Sequence, residues 1–478
     1  MIPHFSIQGF EFFTHPTRTR FPFRYGIASM TDVPHQFVRV RLRVNNQAAV
    51  GLASEGLPPK WFTKDPATTF AQDLPAMLEV IGHAAELAGQ IANGPVSFFA
   101  FWREMYQQQD AWARSRAHAP LLANLGVSLI ERAVLDALCR ALQRPLHQLV
   151  RENLLGVKLG EVYAELGDAA PRDLLPAQPL DSILARHTVG LADPLTPADI
   201  SAAERLDDGL PHDLEANVRA YGLRAFKIKL SGNAAHDLER LRTLQSVIAR
   251  GAAGKLLITL DGNENFKCFT DFRAFWEQVR SEPSLAGLLA DVVAVEQPVH
   301  RDHALSGEAG EALRNWPDRP PLIIDESEAA LGDLPRALAL GYIGTSHKNC
   351  KGIVKGLANA CLLAQRRRGG TPLVLTGEDL ANLGPVALLQ DLAMMALLGI
   401  EHVERNGHHY FRGLSLWPEA WSQTMLVEHG DLYERHEQGF ARLSIHAGRI
   451  QLGTVNAAPF GVTPLFDPSS FGRTTGLP

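Results

Sequence analysis

The chain has 478 residues, of which 46% are hydrophobic and 21% charged, with a formal net charge of -6. That length exceeds one small core and implies two or three domains, or one large barrel with an attachment. The balance is that of a globular protein rather than a disordered or membrane-embedded one, and without a basic surplus neither nucleic acid nor acidic lipid is an expected partner.

The N-terminus, Met1 to Phe13, has no basic patch followed by an apolar run and a small-residue cleavage site, and nowhere does the sequence approach the roughly 20 apolar residues that cross a bilayer. From Gln36 to Val44, Val38, Val40, Leu42 and Val44 alternate with Arg39, Arg41 and Arg43, the pattern of a half-buried strand. Asn45 and Asn46 then supply turn chemistry before Ala48 to Ala53, and with Phe5 to Phe13 these pieces predict a small antiparallel sheet. Leu129, Ala133, Val134, Ala137 and Leu138 recur at helical spacing within Ser128 to Leu142, and Pro145 closes the run. Residues 1–150 therefore read as α+β. Residues 151–181, rich in Gly, Asp and Pro without periodicity, read as a linker.

Beyond Asp181 short apolar strands alternate with longer helical segments, as parallel strands joined by crossover helices do. Eight strands are expected: Ile183 to Val189, Ala225 to Leu230, Leu256 to Leu260, Val292 to Val295, Leu322 to Ile324, Ile343 to Lys348, Leu373 to Leu375, and one near His402. Eight such units across residues 182–417 suit a barrel of strands ringed by helices. In residues 418–478, strand-like pieces at Ala441 to Ile445 and Arg449 to Leu452, joined by a Gly-containing turn, are expected to return to the N-terminal domain. The four cysteines, Cys139, Cys268, Cys350 and Cys361, lack paired spacing, so neither a disulfide framework nor a thiolate zinc site is signalled and a reducing cytoplasm fits.

In the second barrel strand Lys227 and Lys229 share one face, while Phe226, Ile228 and Leu230 share the other. Barrel exteriors are covered by helices and need apolar residues, so the lysines must point inward, which is costly without a task. Asp261, Glu296 and Asp325 close three successive strands. In a barrel those ends meet on one rim, where three carboxylates repel one another unless a hard cation holds them; oxygen ligands of this kind suit magnesium. Lys348, on the sixth strand, points to the opposite face from His347 and would look across the barrel at Lys229. Two bases flanking one carbon can move a proton from one face to the other, while a cation stabilises the enolate of a carboxylate. A lysine crowded by other cations would have a lowered pKa and could serve as the base.

Lys227-Ile-Lys229, Asp261-Gly-Asn263, Glu296-Gln-Pro298, Asp325-Glu-Ser327 and Lys348-Asn-Cys-Lys351 resemble the signature of the enolase superfamily, best its muconate lactonizing enzyme subgroup. Phe21-Pro-Phe23-Arg-Tyr25-Gly26 and Glu131 to Leu149 also resemble it. The resemblance implies a (β/α)7β TIM-type barrel with an α+β capping domain built from both chain ends. It implies Mg2+ held by Asp261, Glu296 and Asp325, an acid/base pair of Lys229 and Lys348, and Lys227 stabilising the enolate. Asn263, Glu326 and Glu378 would lie behind the ligands or on the substrate. Phe23, Tyr25 and Trp61, in loops Phe21 to Tyr25 and Glu55 to Lys64, would shape the pocket. It further implies a homo-oligomer. The chain departs from the family in Gly352-Ile353 after Lys351, an insertion around Glu282 to Leu289, the interdomain stretch and the tail beyond Val462.

The leading expectation is a racemase or epimerase acting on a small carboxylate. A lyase or cycloisomerase using one lysine, and a binding protein that keeps the fold without turnover, are the alternatives. A dipeptide, an N-acylated amino acid, an acid sugar and an unsaturated cyclic acid all stay open as substrates.

Overall fold

The computed structural model describes residues 2–477. Its N-terminal sheet is built from three long strands, β1 (His4–Tyr25), β2 (Ala28–Val44) and β3 (Gln47–Gly56). The alternation read over nine residues of β2 holds: Val38, Val40, Leu42 and Val44 are buried. Asn45 and Asn46 turn the chain with φ of 45° and 71°, a left-handed pair that asparagine tolerates. β1 runs on through Tyr25, so Phe21 to Tyr25 is not a loop: Phe23 pairs with Met30 and Tyr25 with Ala28.

Three helices follow, α1 (Phe70–Ile91), α2 (Phe98–Ser115) and α3 (Pro120–Leu142). Every side chain from Leu121 to Cys139 is buried, because α3 lies between the sheet and the barrel rather than on a surface. Toward the sheet, Arg132 donates to Glu55 Oε2 at 2.6 Å and to Ser54 O at 3.0 Å. Toward the barrel, Glu131 accepts from the backbone N–H of Ile353. The linker region is not featureless; short helices at Leu159–Val162 and Pro171–Leu174 bury Leu159 and Leu174.

All eight expected barrel strands are present, as β4 (Ser182–Val189), β5 (Ala225–Lys229), β6 (Leu257–Asp261), β7 (Val292–Glu296), β8 (Leu322–Ile323), β9 (Gly344–His347), β10 (Val374–Gly377) and β11 (His402–Arg405). They pair in parallel in the order β9-β10-β11-β4-β5-β6-β7-β8, and a bridge from Ile324 to Thr345 closes the ring. The seven crossovers carry α4 (Leu214–Tyr221), α5 (Ala234–Gly251), α6 (Phe269–Ser281), α7 (Gly307–Arg314), α8 (Asp333–Leu340), α9 (Ile353–Arg367) and α10 (Ala387–Leu398). The architecture is a (β/α)7β barrel with an α+β cap. The insertion near Glu282 to Leu289 folds as two short helices, Pro283–Leu285 and Ala286–Ala290.

The C-terminal segment corrects one pairing. Ala441–Leu443 pairs with Tyr433–Arg435, whereas Arg449–Gln451 runs antiparallel on β4, so the two expected pieces join different sheets. Gly472–Arg473 adds a short strand to the N-terminal sheet, beside β1 at Phe13 and Thr14.

The cap depends on a close helix crossing. A Cβ on Gly126 of α3 would stand 2.1 Å from Val80 O of α1. Gly126→Ala gains helix propensity but forces the helices apart, an overpacking cost of roughly 1–3 kcal/mol. Its denaturant midpoint is expected to fall accordingly, whereas Gly89→Ala, where nothing stands within 4 Å, is expected to raise it slightly.

Candidate active site

β5 is buried at all five positions, and alternation sends Phe226 and Ile228 outward and Lys227 and Lys229 into the barrel. Neighbouring strands add the acids in register: Lys229 lies beside Asp261, and Asp261 beside Glu296. Asp325 follows β8, and Lys348 follows β9 at the entry to the turn Asn349–Lys351. In a closed ring of eight, β5 and β9 are four strands apart in either direction, so the two lysines enter from opposite sides. Asp261, Glu296 and Asp325 occupy the three strands between them on one side.

Each ammonium is matched to a carboxylate. Lys229 Nζ donates to Asp261 Oδ2 at 2.6 Å, and Lys348 Nζ donates to Asp325 Oδ2. Asp325 Oδ1 accepts from Ser346 Oγ at 2.5 Å and stands 2.8 Å from Lys351 Nζ. Gln297 joins two of the motifs, its Oε1 accepting from the backbone of Asp325 at 2.9 Å and Ser327 at 3.2 Å. Lys227 lies deepest. Its Nζ is 3.0 Å from Asp261 Oδ2, 2.9 Å from Glu296 Oε2 and 3.0 Å from Glu404 Oε2, and it also donates to Glu378.

These contacts act on two of the lysines in the opposite sense to a nearby cation. Burial opposes charge on Lys227, but Asp261, Glu296, Glu378 and Glu404 outweigh it and hold the pKa well above the ordinary lysine value. Lys348 is likewise buried and held up by Asp325. The surrounding carboxylates, not the neighbouring cations, dominate. Asp325 responds in kind: burial pushes it up, and Lys348 and Lys351 hold it well below the usual carboxylate range.

Glu296 is the exception. Neither carboxylate oxygen accepts a hydrogen bond, although Lys227 Nζ is close. Burial, Glu378, Asp261 and Asp325 push its pKa well above the ordinary value, with Lys227 the opposing influence. Glu326 is raised to about 7, first by burial and then by Asp325; its Oε1 accepts from Asn263 Nδ2 at 3.3 Å and its Oε2 is unpartnered. Among the described residues no three acidic, histidine or cysteine side chains already stand as an assembled metal cage. The donor set nevertheless fits a hard divalent cation: three carboxylates on adjacent strand ends, one with both oxygens free.

Lys229, Lys348 and Asn263 line one small cavity with Phe23, Tyr25, Met30, Pro58 and Trp61 from the cap. Its free space is about 30 Å³, against roughly 300–1,000 Å³ for a small-molecule pocket. The Trp61 ring centroid is 4.7 Å from Lys348 Nζ, within cation–π reach. Glu378 is not on this cavity but below it. It accepts from Arg186, which also donates to Thr259 Oγ1 and Gly377 O, each at 2.7 Å. A larger cleft of about 630 Å³ lies between Arg20–Arg24, residues 192–212 and α5, and holds none of these lysines or acids.

Sequence reasoning passed over Arg186, Thr188 and Glu404, which complete the interior. Thr188 Oγ1 donates to Glu404 Oε1 at 2.8 Å. The signal was the one that marks Lys227 and Lys229: polar residues two apart inside an apolar strand. His347, expected on the outer face, packs under Gly356 of α9 and contacts Asn349.

The sequence matches no family model, and no curated protein is similar to it. Solved structures share its fold. Muconate lactonizing enzyme from Pseudomonas fluorescens, complexed with muconolactone, is 16% identical over 98% of this chain and 99% of that one, with a TM-score of 0.58. A mandelate racemase/muconate lactonizing protein from Herpetosiphon aurantiacus is 18% identical over 95% and 97%, at 0.56. Dipeptide epimerase from Enterococcus faecalis, complexed with Mg and L-Leu-L-Tyr, is 15% identical over 95% and 99%, also at 0.56. The chain has the capped-barrel fold of the enolase superfamily.

The interior network is a stability element. Arg186→Leu would leave Glu378 buried with Lys227 as its cationic partner, and breaking such a pair costs about 3–5 kcal/mol. Equilibrium denaturation is expected to show that loss, with Arg186→Lys retaining part of it.

Proposed function

We propose that this protein is an enolase-superfamily enzyme that removes the α-proton of a small carboxylate and returns it to the opposite face, as a racemase or epimerase. The carrying observation is that Lys229 and Lys348 enter one cavity from strands half a barrel apart, beside three carboxylates. Asp261, Glu296 and Asp325 would hold magnesium. When bound, magnesium would supply positive charge to a substrate carboxylate as it becomes an enolate. Asp261 and Asp325, serving as ligands, would pair less fully with the lysines. Lys229 Nζ shares Asp261, and Lys348 Nζ shares Asp325, so engaging these carboxylates elsewhere lowers the stabilisation of each ammonium and favours release of its proton.

One lysine, neutral, takes the proton from one face; the other, protonated, delivers its own to the other face. Lys227, held charged among Asp261, Glu296, Glu378 and Glu404, has no free lone pair to act as a base and would instead neutralise charge as the enolate forms. Asn263 and Glu326 stand behind the ligands, and Glu378 fixes Lys227. Phe23, Tyr25 and Trp61 would close the cavity over the substrate and exclude water.

The test is a panel of dipeptides, N-acylated amino acids, acid sugars and unsaturated cyclic acids incubated with enzyme and magnesium in heavy water. Deuterium is expected at the α-carbon of both configurations. Lys229→Met and Lys348→Met are each expected to abolish interconversion while leaving exchange from one face only. Elimination or lactonisation products that survive one of these substitutions would identify a one-base lyase or cycloisomerase instead. Magnesium without turnover on any class would point to a binding protein.

Metal binding has its own readout. A ligand at a hundred times its Kd adds about 2.7 kcal/mol of stability. Magnesium is expected to raise the thermal midpoint of the wild type and to leave Glu296→Gln unmoved.

A further inference from the structure

The segment Leu57–Lys64 lies over the cavity and is held from both domains; on the cap side the backbone N–H of Leu57 donates to Pro34 O at 2.9 Å and Tyr25 Oη donates to Pro59 O at 2.8 Å. At its own domain, Lys60, with φ of 58°, donates to Thr68 Oγ1 and Asp73 Oδ2, each at 2.6 Å. At the barrel the anchor is Arg301. Its NH2 donates to Trp61 O at 3.0 Å and its NH1 to Phe62 O at 3.1 Å. The other edge of the guanidinium is gripped by Glu264, with Nε to Oε1 at 2.9 Å and NH2 to Oε2 at 2.7 Å, and the backbone N–H of Arg301 donates to Oε1 at 2.7 Å. Lys64 adds a bond to Asn263 O and lies 3.7 Å from Glu264 Oε2.

The cap's bonds hold the segment at Leu57, Pro59 and Lys60, upstream of the indole. Arg301 takes the next two carbonyls, including that of the residue whose ring lies on Lys348. Glu264 holds the guanidinium from a left-handed turn at φ of 63°, directly after β6, so the fork inherits the rigidity of the barrel rim. We infer that Arg301, held by Glu264, is a positioning residue: it seats Trp61 on Lys348, so that the cover over this lysine is tied to the barrel rim and not to the cap alone. The significance for catalysis rests on the function proposed above, but the geometry does not. Only a planar fork with parallel N–H groups can read two successive carbonyls and a carboxylate together, a pattern that an ammonium does not reproduce.

The test uses the full-length, metal-free protein and needs no substrate. Lysine acetylation with an N-hydroxysuccinimide ester is followed residue by residue by mass spectrometry, alongside amide hydrogen exchange of the peptide spanning residues 57–64. Arg301→Ala is expected to raise both the labelling of Lys348 and exchange over residues 57–64 at least about tenfold, the shift expected from losing one charge-assisted hydrogen bond. Lys351, on the other oxygen of Asp325, and Lys355 are buried and do not line the cavity, and both are expected to stay protected, which separates an opened segment from a loosened fold. Arg301→Lys is expected to resemble the alanine variant. Trp61→Ala is expected to expose Lys348 as much as Arg301→Ala does, and the double variant no further.

Wild-type labelling of Lys348 in Arg301→Ala, or equal rises at Lys348, Lys351 and Lys355, would overturn the inference. If Arg301→Ala does not fold, Glu264→Gln, which keeps the shape and weakens the grip, carries the same expectations in smaller measure. Failure of magnesium binding or turnover would sink the proposed chemistry and leave this result standing; unchanged labelling would do the reverse.

Discussion

The constraint on which the structure depends is charge in the interior of a closed barrel. An isolated buried ion is worth several kcal/mol of destabilisation, so each must be paired where it stands. Lys227 within reach of four carboxylates, Arg186 on Glu378, Lys229 on Asp261, and Lys348 with Lys351 on Asp325 meet that requirement. The pairing ties β4, β5, β6 and the ends of β7 to β11 to one another through side chains as well as backbone. It also leaves a residue of imbalance, in Glu296, at the place where the carboxylates crowd most.

That imbalance separates two kinds of buried charge. Arg132 with Glu55, between α3 and β3, is a buried pair that ties the helix to the sheet within the cap. Around Lys229 and Lys348 the pairs are instead exchangeable: every acid that holds a lysine is also one that a hard cation would claim. Under the function proposed above, a site built from such shared partners would respond to a cation as a unit, since moving one carboxylate alters the charge balance of the ammonium it leaves.

The barrel and the ends of its strands were legible because their signals are local. Apolar strands of four to eight residues, polar residues two apart, and an acid at each strand end survive without knowledge of tertiary contacts. Lys227, Lys229, Asp261, Glu296 and Asp325 are of that kind. The cage around Lys227 was not legible, because it depends on which charges come closest after folding, and Glu378 and Glu404 arrive from strands about 150 residues or more away in sequence. The pairing of Arg449–Gln451 with β4 and the burial of α3 on every side were hidden for the same reason: both are decided by what packs against the element. Phe21 to Tyr25 is expected as a loop from the family resemblance, yet the long β1–β2 ribbon carries it beyond a register shift between Arg18 and Phe23.

The cap is joined to the barrel through donors and acceptors that belong to elements rather than to mobile chain. Glu131 meets the start of α9, Gln390 of α10 donates to Leu52 O of β3 at 2.9 Å, and Arg20 donates to His409 O at 2.6 Å. Phe23 and Tyr25 ride on β1 and inherit that rigidity. Trp61 does not, because it sits on a segment between strand and helix whose position needs a separate hold. The cavity is thus walled by two rigid aromatics and one that a guanidinium on the barrel sets in place. Beside Lys229 and Lys348, the wall contributed by Leu57–Lys64 can yield without disturbing a sheet, whereas the wall formed by Phe23 and Tyr25 cannot.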